Sequence, residues 1–566
     1  MRLAERVKML RFPLHRVCGQ AYGLLLPTTL AKGTLLSARV FGIAPPECQR
    51  ETSDLFRSGH TSPMPSFFIF TLGCKVNQYE SQAVREAWRE RGWTELSGPE
   101  SAEYILVNSC AVTQKAVADV RNAVRRLHRA APKAAIILSG CAAEAMPREL
   151  ANLPGMALLV PQSEKIRLLA LPEHDPLFSE YGPDLPYYSD QPSSGKALSR
   201  PSVSACPSEQ NPRMRERPYI LPPARTAVGS GHGSGFPAFH IRGYARSRAV
   251  VKIQDGCSHG CTYCIVPATR GPARTRPLAD TLAEFARLLE AGFCEIVISG
   301  VNLRQYKEGG RDFWDFITAL EARFGEEWSG RARFRISSLE PGQLHGRALD
   351  ILSRSRLVAP QVHLSLQSGS PSVLERMGRG HYRPEEITAF LASLKALWPV
   401  FGLGADIISG FPGETEAEHL ETRSLLKTLP LSYAHVFPYS ARPGTEAAAM
   451  PGQVAPEVKK QRAADLRSLA AQGKKAFLRQ MLSLESMYVA LEGSGPGTGT
   501  DAGIIAEASG LASELPHGHN EFYAECVFDP AEALPEEGLS GLVAACPVRV
   551  EKGRLLVRAC QGARHW

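Results

Sequence analysis

The chain has 566 residues, 44% hydrophobic and 22% charged, which is ordinary globular composition at a length for about two to four domains. Its 13 cysteines are not spaced as a disulfide scaffold. No secretory signal is evident, and no run of about 18 apolar residues exists to span a membrane, so a cytoplasmic protein is expected. The net charge of +8 is mild but uneven: thirteen Lys or Arg face three Asp or Glu between Lys196 and Arg276. Such a zone suits a polyanionic substrate, or is simply a solvated linker.

Residues 1 to about 64 are basic, almost free of acid up to Ala44, and without helical or strand period. They read either as an organellar transit segment or as sequence ahead of a true start at Met64, and no fold is assigned to them. Order begins at Ser66. Phe67 to Thr71 reads as a buried strand, followed by a helix from about Ser81 to Arg91. Tyr104 to Asn108 is the next strand, followed by a basic helix through Arg121, Arg125, Arg126 and Arg129. Ala135 to Ser139 is the third. Strands alternating with helices predict a parallel α/β sheet over 66–172. Cys74, Cys110 and Cys141 each fall just after a strand, so they should converge on the edge where such sheets bind ligands. A lone cysteine after a strand is commonly a small core residue; three in three repeated units form a candidate metal site.

Residues 173–245 are rich in Pro, Ser, Gly and Arg and read as a flexible insertion. From Ala249 the β-then-α rhythm returns, over 246–482. Strands are expected at Glu295–Ser299, Arg333–Ser337, Gln361–Leu366, Gly404–Ile408 and Ala434–Pro438, with helices such as Leu278–Ala291 and Pro384–Trp398 between them. This count suits an incomplete (β/α) barrel, with its chemistry on loops after the strands. A Lys- and Arg-rich helix is expected from Val458 to Met481. Short segments then predict a small β-barrel over 484–562: Tyr488–Leu491, Glu521–Val527, Gly541–Val550 and Leu555–Ala559.

The strongest chemical signal is Cys257, Cys261 and Cys264, at spacing C-x3-C-x2-C. Soft thiolates favour an Fe–S cluster or zinc. Three of them leave one iron of a 4Fe–4S cube open to a ligand. A zinc site usually pairs two C-x2-C hooks or adds histidines; here His259 lies inside the loop and no second hook follows. The motif resembles the radical S-adenosylmethionine (SAM) enzymes, in which the open iron chelates SAM.

The run Thr71-Leu72-Gly73-Cys74-Lys75-Val76-Asn77-Gln78-Tyr79-Glu80-Ser81 narrows the resemblance to the radical SAM methylthiotransferases. It is similar to the branch acting on N6-threonylcarbamoyladenosine in tRNA. Runs at Ser299–Leu303, Ile336–Pro341, His363–Gly369, Asp406–Thr415 and His435–Ser440 agree. The resemblance implies two 4Fe–4S clusters, one on Cys74, Cys110 and Cys141 and one on Cys257, Cys261 and Cys264. It implies a SAM pocket drawing on Gly300, Asn302, Ser338, Glu340, Gln367 and Asp406, with Tyr263 and Phe437 packing on the adenine. It further implies that one SAM methylates a sulfur carried at the second cluster, while another is cleaved to a radical that takes hydrogen from carbon 2 of adenine. The tRNA anticodon loop, an electron donor such as flavodoxin or ferredoxin, and a monomeric state follow from it. The terminal barrel resembles a TRAM domain, which binds RNA in this family. From Glu485 onward, however, twelve acidic residues outnumber five basic ones. Phosphate contacts are therefore expected either from a strip around Arg549 to Arg558 or from Lys459, Lys460, Arg462, Arg467, Lys474, Lys475 and Arg479 on the preceding helix. The alternatives are a methylthiotransferase of isopentenyladenosine or of a ribosomal-protein aspartate, a radical SAM enzyme without a second cluster, and a non-catalytic Fe–S RNA-binding protein.

Overall fold

The computed structural model describes residues 64–170, 219–220, 235–492, 515–529 and 541–560. The expectations for residues 1–63, for most of the insertion and for Cys18, Cys48 and Cys206 lie outside them.

The N-terminal unit is a six-stranded, wholly parallel sheet. Its order is Thr94–Glu95, Ser66–Thr71, Tyr104–Ser109, Ala135–Gly140, Met156–Pro161 and Tyr219–Ile220. Fully buried parallel strands read as unbroken apolar runs, and Ile105, Val107, Ile136 and Leu138 fill one face. The first helix spans Lys75–Glu90, starting well before the expected Ser81. Its first turn looks like loop because it is polar, yet Asn77, Glu80, Ser81 and Gln82 are all buried. The end of the expected insertion also enters the core: Phe239, Ile241 and Tyr244 are buried, and the Tyr79 hydroxyl donates to the Phe239 carbonyl at 2.7 Å.

The central unit is a curled, mostly parallel array. Strands Arg248–Asp255, Glu295–Gly300 and Arg333–Ile336 form one sheet, with the short antiparallel Arg274–Thr275 on its edge. Strands Gln361–Gln367, Gly402–Ser409 and Tyr433–Pro438 form a second. Parallel bridges Phe334–Val358 and Leu339–Leu364 join the two into an incomplete (β/α) barrel.

A closed five-stranded barrel ends the chain: Met487–Glu492, His517–Asn520, Glu525–Phe528, Arg554–Ala559 and Leu542–Glu551 in spatial order. Its His517–Asn520 strand carries no β-forming residue, and Cys546 and Cys560 are disulfide-bonded with Cα atoms 5.9 Å apart. This barrel plugs the strand-start end of the central one. Buried Glu295 accepts from Arg333 at 2.6 Å and Arg335 at 2.8 Å. Those guanidinium groups donate onward to the carbonyls of Tyr488, His519, Asn520 and Glu521. A Cβ on Gly402 would stand 2.0 Å from the Phe522 carbonyl oxygen, so only glycine admits the plug there. The chemistry is thereby left to the opposite end, beyond the strand C-termini. Among the described residues no helix is long and apolar enough to cross a membrane.

Candidate active site: two thiol trios at one buried junction

Cys257, Cys261 and Cys264 sit on the loop after Arg248–Asp255. Gly256 turns the chain into it with φ +68°, and a Cβ there would lie 2.1 Å from the Pro272 carbonyl oxygen. The Cys257 N–H donates to Gly271 at 3.0 Å, and Thr262 N–H donates to Met377 at 3.1 Å, so two other loops clamp this one. Donors converge on its sulfurs: His259 N–H on Cys257 Sγ at 3.4 Å, Asn302 Nδ2 on the same sulfur at 3.7 Å, and Arg379 on Cys261 Sγ at 3.6 Å. The His259 ring instead meets the Gly378 carbonyl and stands edge-on to His381.

The other trio is assembled from three strand ends. Cys74 caps the first helix, Cys141 opens the short helix Cys141–Ala145, and Cys110 follows Tyr104–Ser109. Glycines with positive φ, Gly73 at +108° and Gly140 at +103°, precede two of them. A Cβ on Gly73 would meet Cys110 Cβ at 2.8 Å, and one on Gly140 would meet the Ser109 carbonyl oxygen at 2.4 Å. Close backbone approach brings the three loops together.

Between the trios lies a fully buried charge network. Glu80 accepts from Lys165 at 2.6 Å, Lys252 at 2.9 Å and Arg270 at 2.9 Å. Arg270 also reaches Asp255 at 2.9 Å and Asn77 Oδ1 at 2.6 Å. Burial alone would raise Glu80; Arg270, Lys165 and Lys252 overcome it and hold its carboxyl well below the usual range. Three cations thus face two carboxylates, and Cys74 and Cys141 supply further negative charge to Arg270. The network joins Asn77, one turn after Cys74, to Asp255, two residues before Cys257.

Several observations test whether these residues suit iron–sulfur clusters. Burial pushes the Cys110 thiol up to about 11 and the Cys264 thiol up to about 12, so each stays protonated unless a metal replaces its proton. Buried N–H groups without partners stand beside both trios: Arg442 Nε and Nη2, with Cys110 among its charged neighbours, and Arg379 Nε. Sulfur acceptors would satisfy them. Among the described residues no three His, Cys, Asp or Glu side chains close around a point as they would on one ion. A cube instead places each thiolate on its own iron, a wider arrangement. The residues fit clusters.

The expected SAM-pocket residues lie at strand ends, each with its own company. Gly300 packs so tightly that a Cβ would meet Leu303 at 2.8 Å. Ser338 is half-buried, and Glu340 is ion-paired with Arg379. Gln367 ends its strand at φ +61°, a region that favours glycine and that clusters at functional sites when another residue holds it. Asp406 pairs with His363 Nε2 at 3.0 Å. Tyr263 packs edge-on to Phe411, whereas Phe437 is 43% exposed and its ring neighbour is His435, so the two expected adenine neighbours have different ring partners. Arg270, Arg379 and Arg442 escaped the sequence reading; only the basic zone hinted at the first. Two expected phosphate contacts are corrected: Arg462 is buried on Glu414, and Arg467 donates to the Val436 carbonyl.

Residues 66–161 match Uncharacterized protein family UPF0004, and residues 251–426 match the Radical SAM superfamily. The chain is 32% identical over 419 residues, 74% of its length and 83% of the relative's, to the threonylcarbamoyladenosine tRNA methylthiotransferase MtaB of Bacillus subtilis. It is 34% identical over 437 residues, 73% and 89% of the two chains, to the enzyme of that name from Treponema pallidum. The chain belongs to the radical SAM tRNA methylthiotransferase family. It is an enzyme that transfers a sulfur-containing group, and its cofactors are SAM and 4Fe–4S clusters. A family member of another name, the tRNA-2-methylthio-N(6)-dimethylallyladenosine synthase of Moorella thermoacetica, is 31% identical over 400 residues, 70% of this chain and 80% of its own. Overall identity therefore does not separate the two nucleoside types.

Proposed function

We propose that this enzyme adds a methylthio group to carbon 2 of N6-threonylcarbamoyladenosine next to the tRNA anticodon, using two SAM molecules. The observation that carries the reading is the junction, where two thiol trios meet across the Arg270–Glu80 network. When bound at Cys257, Cys261 and Cys264, an open-iron cluster supplies the electron that cleaves SAM to a radical able to attack an unreactive aromatic carbon. Cys74, Cys110 and Cys141 would hold the second cluster. The remaining residues position and shield. Asn302, the His259 N–H and Arg379 donate to the first trio's sulfurs, which favours their anionic form. Glu340 fixes Arg379, and Gly300 lets the Asn302 loop pack close. Ser338, Gln367 and Asp406 face the same end, beside Tyr263. An anticodon-loop base is single-stranded and can be splayed into such a site. Exposed Lys475, Arg479 and Arg558 are the cations left for phosphate. An electron donor such as flavodoxin or ferredoxin would complete the system.

The choice of threonylcarbamoyladenosine over the dimethylallyl nucleoside rests on the Thr71–Ser81 run and on the names of the relatives. The test is mass spectrometry of digested tRNA from a host lacking its own threonylcarbamoyladenosine methylthiotransferase, with and without this gene. Appearance of the 2-methylthio derivative is expected; a product on the dimethylallyl nucleoside alone would overturn the substrate assignment.

A further inference from the structure

Lys75 follows Cys74 directly and opens the first helix. Its ammonium is half-buried and makes no hydrogen bond or ion pair among the described residues. The charged groups around it are Tyr523, Arg248, Arg335 and Asp406. All but Lys75 are already engaged. Arg335 is bound to Glu295 and Arg248 to Glu492. Asp406 pairs with His363, whose Nδ1 meets the Tyr433 hydroxyl at 2.9 Å. Lys75 is therefore an unspent cation inside the central barrel.

The strand face it meets is open. Asp406 is registered against His435, and Ile408 against Phe437. His435 and Phe437 are exposed on the face that alternates with buried Val436, and Lys75 is among the charged neighbours of His435. A space with one unpaired cation, beside Cys74 and floored by aromatic rings, selects an anion carried on a flat group. We infer that Lys75 is a specificity-determining residue that binds the carboxylate of the substrate base's N6 substituent. This rests on the proposed function, in which that substituent ends in a threonyl carboxylate. A dimethylallyl substituent would leave the ammonium desolvated and unmatched, which is how a buried charge rejects a neutral analogue.

The test uses reconstituted holoenzyme and three anticodon stem-loop RNAs bearing threonylcarbamoyladenosine, its uncharged methyl ester, or dimethylallyladenosine. Binding is read by fluorescence anisotropy, and kcat and KM are read separately. The natural enzyme should prefer the acid to the ester by about tenfold or more, as for a charge-assisted contact. Lys75→Gln should bring that ratio close to one, mainly through KM, and Lys75→Arg should keep much of it. Iron content of each variant checks that the neighbouring cysteine still binds. If Lys75→Gln keeps the natural acid-to-ester ratio while the natural enzyme turns over the threonylcarbamoyl RNA, the role of Lys75 is overturned and the proposed function stands. If the natural enzyme turns over only the dimethylallyl RNA, both fall.

Discussion

The two thiol trios reach similar chemistry by opposite routes. Cys257, Cys261 and Cys264 share one loop, so their convergence costs little chain entropy and is written in their spacing. Cys74, Cys110 and Cys141 are spread over three βα units, and only the parallel sheet brings them together. The local trio should tolerate damage to the N-terminal sheet. The assembled trio should fail whenever a strand end shifts. What ties them is the charge network around Glu80, which belongs to both units.

The largest effects should come from the cysteines. Cys257→Ala is expected to reduce SAM cleavage to background, measured as 5′-deoxyadenosine by chromatography. Cys74→Ala should remove methylthio product while SAM is still cleaved abortively. Retained methylthio product in Cys74→Ala would break the division of labour between the trios.

Next come the glycines. Gly256→Ala puts a Cβ 2.1 Å from a carbonyl oxygen at φ +68° and should lose most of the iron held by the local trio. Gly260→Ala, four residues on in the same loop, meets nothing within 4 Å and should reconstitute normally. Gly140→Ala should strip iron from the assembled trio alone. Iron and acid-labile sulfide assays after anaerobic reconstitution decide all three.

Glu80→Ala leaves Lys165, Lys252 and Arg270 facing one another without their shared carboxylate, with only Asp255 to offset Lys252 and Arg270. Removing one partner from a buried ion network costs about 3–5 kcal/mol. A lowered midpoint in denaturant unfolding checks it, and both trios should suffer together. The smallest effect is expected from Asn302→Ala. It removes one weak donor to Cys257 Sγ and should move only the local cluster to a more negative reduction potential, read by spectroelectrochemistry.

This asymmetry also explains what the sequence could show. The local trio is legible from spacing, and the assembled trio from the repeat of an apolar strand followed by cysteine. Strand positions were legible too, because buried parallel strands are plain apolar runs such as Ile136-Ile137-Leu138. The start of the first helix was hidden because its buried face is polar: Asn77, Glu80 and Ser81 read as loop until the cations that neutralise Glu80 are known. Those cations come from Lys165, Lys252 and Arg270, far away in sequence, so no local pattern reports them. Arg379 and Arg442 were hidden for the same reason. The His517–Asn520 strand escaped because two histidines, a glycine and an asparagine carry no β signature; the closed barrel forces them into register.

The central claim is that each trio holds its own cluster. The most direct test is iron and sulfide content, with Mössbauer spectra, of anaerobically reconstituted natural protein and of two triple variants, Cys74/Cys110/Cys141→Ala and Cys257/Cys261/Cys264→Ala. The account predicts about eight irons per chain in the natural protein and about four in each variant. About four irons in the natural protein, unchanged when Cys74, Cys110 and Cys141 are all removed, would contradict it.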